Sequence, residues 1–494
     1  MAILIFCIGS KRRPRLNRGK AFSLSWSKSS DTKRADDKVL TVKEDKRTGT
    51  FHIITFGCQM NVCDSQWMEQ SLTLRGWTPA AEEEADVIVV NTCSVREKPE
   101  QKVYSLLGRL SGLRKKNPDL IVGVGGCVAQ QIGVHLWHRF PLVRLVFGPD
   151  GVSQVPEAVE RLQEDSGLRL SYLDFSGHYP ERERVWDKSS SPAQAFVTIM
   201  QGCDNFCAYC IVPYTRGRQK SRPAQEVLTE CADLVRAGTR EITLLGQNVN
   251  SYGQDRAGDG VSFAQLLGQV CSLPGLERVR FTTSHPKDLD PQVIESFRRF
   301  DNLCPSLHLP LQSGSDRILH KMGRKYSRSQ YLDLIKALRQ ARPDIALSTD
   351  LIVGFPGETE EDFEQTMDVV KRVGFDSSFS FKYSQRPGVR ASLLPGQVAE
   401  EVKAQRLQRL QSLQDELTLQ SLRSFIGRSL PVLVEKEGRQ NSQTGQQWQG
   451  REPGGRLVHF SWPRGWNLTG RFVQVRIQTA MKHSVSGEAV KGPW

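Results

Sequence analysis

No apolar run among the 494 residues approaches the roughly 20 that a membrane-spanning helix needs. No secretory signal is convincing either, because Ile3 to Ile8 is too short for a signal-peptide core. The 11 cysteines are an odd number in a large chain. That argues against a disulfide framework and for a reducing cytoplasm with metal-binding or buried thiols. Acidic residues are missing from the first 30 positions, which carry seven basic ones. This Arg- and Ser-rich leader has a transit-peptide pattern, but residues 1–48 read equally as a disordered or spurious extension.

The net charge of +13 is concentrated at the ends. Residues 1–49 hold 13 Lys/Arg against 5 Asp/Glu, and residues 422–494 hold 11 against 4, which leaves the middle near neutral. Basic ends on a neutral body suit a polyanion gripped by an appendage, with chemistry elsewhere; for residues 1–49 a solvated tail is the simpler reading.

Three cysteines, Cys203, Cys207 and Cys210, fall within one short loop after an apolar strand. Three thiolates cannot close a structural zinc site, which takes four ligands. A cubane iron–sulfur cluster ordinarily takes four cysteines, so three would leave one iron open to another ligand. A zinc knuckle with a distant fourth ligand, or three unrelated thiols, is the alternative. Three further cysteines are spread along residues 49–164, where strand-like runs (His52–Phe56, Asp86–Val90, Leu120–Val124) alternate with helical patterns. Such alternation predicts a parallel sheet whose strands end on one edge. Cys58, Cys93 and Cys127 each follow a strand, so they should converge there, with Gly57, Gly125 and Gly126 allowing close approach. Cys63 lacks a strand-end position and is left out.

Residues 165–188 read as a polar linker. Residues 189–421 read as six βα repeats, a partial barrel whose strand carboxyl ends carry the chemistry. Polar loops follow successive strands there, and Gln247, Asn248, Gln312 and Ser313 are candidate ligand contacts by position only. His285, before a proline in a turn, is more often structural and receives no catalytic role. Ala399–Phe425 has a helical pattern that bridges to the tail. Residues 422–486 read as a small β-barrel, in which Trp448, Phe460, Trp462, Trp466 and Phe472 lie among Arg439, Arg451, Arg456, Arg464, Arg471 and Arg476. That mixture suits single-stranded RNA, although a barrel core would claim about half of such residues.

The loop from Gly202 to Cys210, continuing to Thr215-Arg216-Gly217, resembles the signature of radical S-adenosylmethionine enzymes, and more closely their methylthiotransferase branch. Gly57-Cys58-Gln59-Met60-Asn61, Asn91-Thr92-Cys93 and Gly126-Cys127 resemble the amino-terminal domain of that branch. The tail, through Gly450-Arg451 and Arg456 to Phe460, is similar to a TRAM domain, an RNA-binding appendage of tRNA-modifying enzymes. Ser384 to Ala391 departs from the family pattern at Gln385 and at Val389-Arg390.

The resemblance implies an α/β protein: a parallel-sheet domain, a central partial (β/α)6 barrel and a TRAM barrel. It implies two [4Fe-4S] clusters, one on Cys203, Cys207 and Cys210 with S-adenosylmethionine on its open iron, and an auxiliary one on Cys58, Cys93 and Cys127. No catalytic side chain beyond these ligands is implied. Gln247, Asn248, Gln312 and Ser313 become candidate S-adenosylmethionine contacts. The implied reaction replaces the C2 hydrogen of N6-isopentenyladenosine, beside the tRNA anticodon, with a methylthio group. The expected enzyme is a cytoplasmic monomer served by an electron donor such as flavodoxin or ferredoxin. Sister substrates are threonylcarbamoyladenosine in tRNA and an aspartate of a ribosomal protein. An RNA-binding iron–sulfur sensor without turnover, or a zinc-dependent RNA-binding protein, would differ in kind.

Overall fold

The computed structural model describes residues 48–93, 97–180, 192–256, 258–282, 284–386, 388–438 and 445–494. The expectation for residues 1–48 therefore falls almost entirely outside the described residues. Among them, no helix is long and apolar enough to cross a membrane.

The first sheet has six strands: β1 (Thr50–Thr55), β2 (Thr78–Pro79), β3 (Val87–Thr92), β4 (Ile121–Gly126), β5 (Val143–Phe147) and β6 (Leu170–Tyr172). Their order is β2-β1-β3-β4-β5-β6, and every pair is parallel. β3, β4 and β5 are buried on both faces, as parallel strands covered by helices should be. Apolar clusters line the two faces, one around Ile88, Val90 and Val122 and the other around Val87, Val89 and Leu145. β6 lies within the stretch expected to be linker. Its three residues pair with Leu145–Phe147 and extend the sheet by one edge strand, a role too short to leave a period in the sequence.

The central unit begins with β7 (Gln194–Thr198). A short ribbon, β8 (Met200–Gln201) and β9 (Lys220–Ser221), closes the base of the loop carrying Cys203, Cys207 and Cys210. β10 (Glu241–Leu245), β11 (Arg278–Phe281), β12 (Ser306–His308), β13 (Ala346–Val353) and β14 (Ser377–Lys382) complete six parallel strands. They form two three-stranded halves, β7-β10-β11 and β12-β13-β14, joined where Val279 bridges to Leu303 just before β12. This is the expected partial barrel. Alternation gives it two faces. Ile242, Leu244, Val279, Leu307, Leu347 and Leu351 pack outward under the helices. Glu241, Arg278, Arg280, Ser306, His308, Ser348 and Asp350 occupy the opposite register and make a polar lumen.

The tail forms a closed barrel of β15 (Ser429–Glu437), β16 (Gln446–Arg451), β17 (Leu457–Trp462), β18 (Phe472–Ala480) and β19 (Ser484–Lys491). β16 and β19 had no strand-like signal, because each mixes small and polar residues. β19 carries the barrel five residues beyond the expected boundary at 486.

The tail barrel docks at the amino-terminal ends of the core strands. Arg278 donates to the main-chain oxygens of Arg451 (2.9 Å) and Pro431 (2.6 Å), and Arg280 to those of Pro453 (2.8 Å) and Glu452 (3.0 Å). Both guanidinium groups also face the buried Glu241, at 3.6 and 3.1 Å. Arg456 reaches back to Asp376 at 2.5 Å, and Arg240 to the Trp494 oxygen at 2.6 Å. The end of the lumen opposite the strand carboxyl ends is thus filled by ion pairs and tail backbone. Replacing Arg280 by Met leaves Glu241 with only the longer ion pair, to Arg278, and the Pro453 oxygen without its donor. A loss of about 3–5 kcal/mol in stability is expected, read by urea unfolding, with tail-specific cleavage appearing earlier in limited proteolysis.

Candidate cluster sites and their junction

Cys58 caps the helix Gln59–Leu74, Cys93 follows β3, and Cys127 opens the helix Cys127–Ile132. All three are buried. Their loops are stitched together by asparagines. Asn61 donates to Asn91 Oδ1 and to the Thr92 oxygen, both at 3.0 Å, while Asn91 donates to the Asn61 oxygen and to Ser65 Oγ at the same distance. Glycine matters here for protein packing. A Cβ on Gly126, whose φ is +86°, would lie 2.2 Å from the Thr92 oxygen, and one on Gly57 would lie 2.9 Å from Cys93 Cβ. Gly125 serves a different purpose, since its missing Cβ makes room for the Phe147 ring at 2.0 Å.

A group outside this domain completes the site. Arg216, which follows the Cys203–Cys210 loop, is buried against the first domain. Its guanidinium lies 3.5 Å from Asn61 Oδ1, 3.8 Å from Met60 Sδ and 3.8 Å from Asp64 Oδ2. Burial by itself would lower the Arg216 pKa, but Cys127, Cys58, Asp64 and Cys93 together hold it above its ordinary value. All three cysteines therefore lie within electrostatic reach of one cation. The Cys58 thiol falls to about 6 through its hydrogen bond with Cys93, against burial, with Arg216 and the Asn61 and Met60 amides assisting. A pre-formed thiolate is the form that binds metal.

The loop of the second set is held from several sides. Cys203 N–H donates to the Gly217 oxygen, Cys210 N–H to Cys207, and Ala208 N–H to Met322. Arg324 approaches Cys207 Sγ at 3.6 Å and also donates to the Pro310 oxygen and to Tyr326 Oη. Burial pushes the Cys203 thiol up to about 11 and the Cys210 thiol up to about 12. Among the described residues, no three His, Cys, Asp or Glu side chains close on a single ion. Each set offers three thiolates, one short of a structural zinc site. A cubane on three cysteines would keep one iron open. Cys63 packs against Cys58, Met60 and Leu245, with its thiol directed at the Phe196 oxygen.

The four contacts expected by position divide. Gln247 joins the domains, accepting from Gly202 N–H at 2.6 Å and donating to Met60 Sδ. Ser313 lies 3.4 Å from Thr366 Oγ1 and accepts from Ser315 N–H, which turns it toward the helix behind. Asn248 donates to Asp288 at 2.7 Å, and Asp288 also receives Asn205 of the cysteine loop at 3.2 Å. Asn248 Oδ1 is buried without a partner. Gln312 sits at a φ of +69° and is buried. Buried and unpartnered polar atoms also occur on Asn250, Ser284 and His285, beyond the carboxyl ends of β10 and β11. Such atoms call for a polar ligand, and S-adenosylmethionine fits that demand. The lumen adds His308, whose Nε2 lies 3.4 Å from Asp350 and whose Nδ1 lies 3.0 Å from Ser348 Oγ. Sequence reasoning held Arg216 only as part of a motif and missed Arg324, Asp288 and this pair, because each acts through contacts distant in the chain; only strand alternation could have pointed to His308 and Asp350.

The expected RNA face of the tail shrinks. Trp448 and Phe460 are barrel core, and Phe472 is buried outside it, stacked on Trp494 beneath Arg240 and Arg278 at the joint with the central unit. Arg456 is spent on Asp376 and Glu452, and Arg451 on Glu435. Arg439 lies outside the described residues. Trp466, in edge contact with the half-buried Trp462, remains exposed with Arg464, Arg471 and Arg476.

His285 also carries a prediction. Burial first, then Arg324, Lys287 and Lys325, depress its pKa from 6.5. Nδ1 accepts the Lys287 N–H at 3.2 Å, so the neutral ring must carry its proton on Nε2. The folded protein binds fewer protons than the unfolded chain below pH 6.5, so this group costs stability as the pH falls and nothing above it. Selective ¹⁵N labelling should show an Nε2–H tautomer that does not titrate between about pH 5 and pH 8.

Comparison with known proteins fits this geometry. Residues 197–370 match the radical SAM superfamily model, and residues 50–148 match "Uncharacterized protein family UPF0004". The tRNA-2-methylthio-N(6)-dimethylallyladenosine synthase of Nitratidesulfovibrio vulgaris is 58% identical over 445 residues, covering 90% of this chain and 99% of that protein. The protein of the same name from Oleidesulfovibrio alaskensis is 52% identical, covering 89% and 98%. A solved structure of the radical S-adenosylmethionine methyltransferase TsrM from Kitasatospora setae, with cobalamin and a [4Fe-4S] cluster bound, shares the fold. Its TM-score is 0.51 at 13% identity, covering 70% of this chain and 77% of that one. With relatives this similar along nearly their whole length, and with both cysteine sets in place, the chain belongs to the tRNA-2-methylthio-N(6)-dimethylallyladenosine synthase family of radical SAM proteins.

Proposed function

We propose that this protein replaces the C2 hydrogen of N6-isopentenyladenosine, next to the tRNA anticodon, with a methylthio group. The observation that carries this reading is the pairing of two three-thiolate sets across one domain junction, in a chain 58% identical to a relative named for that product. Cys203, Cys207 and Cys210 would hold one [4Fe-4S] cluster with a coordination position left for S-adenosylmethionine, and Cys58, Cys93 and Cys127 the other. When bound, these groups supply the electron, homolytic hydrogen abstraction, sulfur and methyl group that side chains cannot provide at neutral pH.

The chain's own residues bind, orient and shield. Arg324 places a fixed positive charge beside Cys207, and Arg216 does the same for the auxiliary set, offsetting the crowding of thiolates. His285 offers a neutral Nε2–H donor, and Asn248, Asn250 and Ser284 add polar atoms to the same rim. The target base is unpaired in its loop, so reaching the rim requires unstacking and no duplex melting. The exposed Trp466 with its neighbouring arginines gives the tail a grip on RNA, as the TRAM likeness implies. The thiol-rich site requires a reducing compartment, which supports a cytoplasmic enzyme. A small electron carrier of the flavodoxin or ferredoxin kind, and a monomeric enzyme, complete the reading. The relatives' names support the isopentenylated adenosine over the sister substrates.

Anaerobic reconstitution followed by reductant, S-adenosylmethionine and isopentenylated tRNA should give both 5′-deoxyadenosine and a methylthio nucleoside. Cys203→Ala should abolish both products. Cys93→Ala should lower bound iron by about half and abolish only the nucleoside. Deoxyadenosine without any methylthio nucleoside in the unaltered enzyme would redirect the search to the sister substrates.

A further inference from the structure

The loop holding Cys203, Cys207 and Cys210 also carries aromatic surface that ligation does not use. Phe206 stands directly before Cys207 with a φ of +48°, one of two non-glycine residues at positive φ among the described residues. A bulky residue in that region is held there at a cost, and such conformations cluster at functional sites. Here the ring ends up outside the protein, 40% exposed. Tyr214, on the short helix Val212–Thr215, is 49% exposed and meets Phe206 edge-on, with centroids 6.3 Å apart. Arg218 completes the group, its guanidinium 5.0 Å from the Phe206 centroid and its Nε 3.1 Å from Asp204 Oδ1. Asp204 also accepts from the Gln219 N–H at 3.1 Å, so the cation is set beside the ring while remaining largely exposed.

Single exposed apolar residues are normal on protein surfaces. Two rings in edge contact, with an arginine fixed against one of them, on the loop that holds a cluster, are a different matter. We propose that Phe206, Tyr214 and Arg218 form a stacking platform for an unpaired RNA base adjacent to the target nucleotide. Aromatic rings flanked by arginine are the chemistry by which single-stranded RNA is held without sequence readout, the base lying on a ring and the phosphate near the guanidinium. The platform is continuous with the rim: Asn205, the residue before Phe206, shares Asp288 with Asn248. A base on Phe206 would lie beside that rim and help to fix the register of the strand. This inference rests on the tRNA reading above and specifies how the strand is held.

The test uses the reconstituted enzyme and an isopentenylated anticodon stem-loop carrying 2-aminopurine immediately 3′ to the modified adenosine. Stacking on an aromatic ring quenches that fluorophore. The unaltered enzyme should quench it on binding, and Tyr214→Leu and Phe206→Leu should each lose most of the quench. Affinity should fall about tenfold, with iron content and unfolding midpoint showing that each variant is assembled. Arg218→Gln, which removes the charge and leaves all six cysteines in place, should weaken binding and flatten its salt dependence. Retained quenching, with affinity within about twofold of the unaltered enzyme in both leucine variants, would overturn the platform. So would unaltered RNA binding combined with lost turnover only when a flavodoxin replaces chemical reductant, because the patch would then be a protein-docking surface. Methylthio nucleoside formed by an enzyme that never quenches the probe would leave the function standing and remove the platform alone.

Discussion

A single buried cation, Arg216, holds two otherwise separate pieces of chemistry at a fixed distance. Three cysteines collected at one sheet edge are a poor place for negative charge, because burial opposes ionisation and each thiolate opposes the next. Arg216 relieves both, and it arrives from the other domain, six residues after Cys210. The first domain lacks this cation without the core, and without the first domain the guanidinium loses Asn61, Met60 and Asp64 as its partners. Gln247 and Met60 meet across the same junction, and Lys220 pairs with Asp150 beside it at 2.5 Å. The interface is thus organised by the charge of the thiols and the carboxylate that face Arg216 across it.

The two barrel ends divide the labour in the core. At the carboxyl ends of the strands, polar atoms are left unpartnered and thiols are crowded, which is costly and is tolerated where a ligand will arrive. At the amino-terminal ends, every large charge finds a partner: Glu241 between Arg278 and Arg280, Asp376 with Arg456. Stability is concentrated at one end, and reactivity at the other.

Much of this was legible in the sequence, for reasons that differ by region. The Cys203–Cys210 set is local, so spacing alone defined it. Cys58, Cys93 and Cys127 are distant in sequence, yet strand ends in a parallel sheet share an edge, and topology brought them together. The six core strands were readable because short strand-like runs recur between helical patterns. β6, β16 and β19 were not, since they are short or polar and form only through their neighbours. Arg216 could be seen as part of a motif, but its role depends on residues more than 150 positions away. The tail's aromatics could not be sorted by sequence, because Trp448 and Trp466 look alike until the barrel closes around one of them.

The lock between tail and core has a consequence for how such a protein can change. Arg278 and Arg280 grip main-chain oxygens of Pro431, Arg451, Glu452 and Pro453. A carbonyl is present whatever the side chain, so these four contacts recognise the shape of the tail, and the Arg456–Asp376 pair and Phe472 beneath Arg278 add side chains that the joint reads. Arg464, Trp466 and Arg471 are exposed and make none of these contacts, so the outward face of the tail can change its chemistry without altering how the two barrels fit.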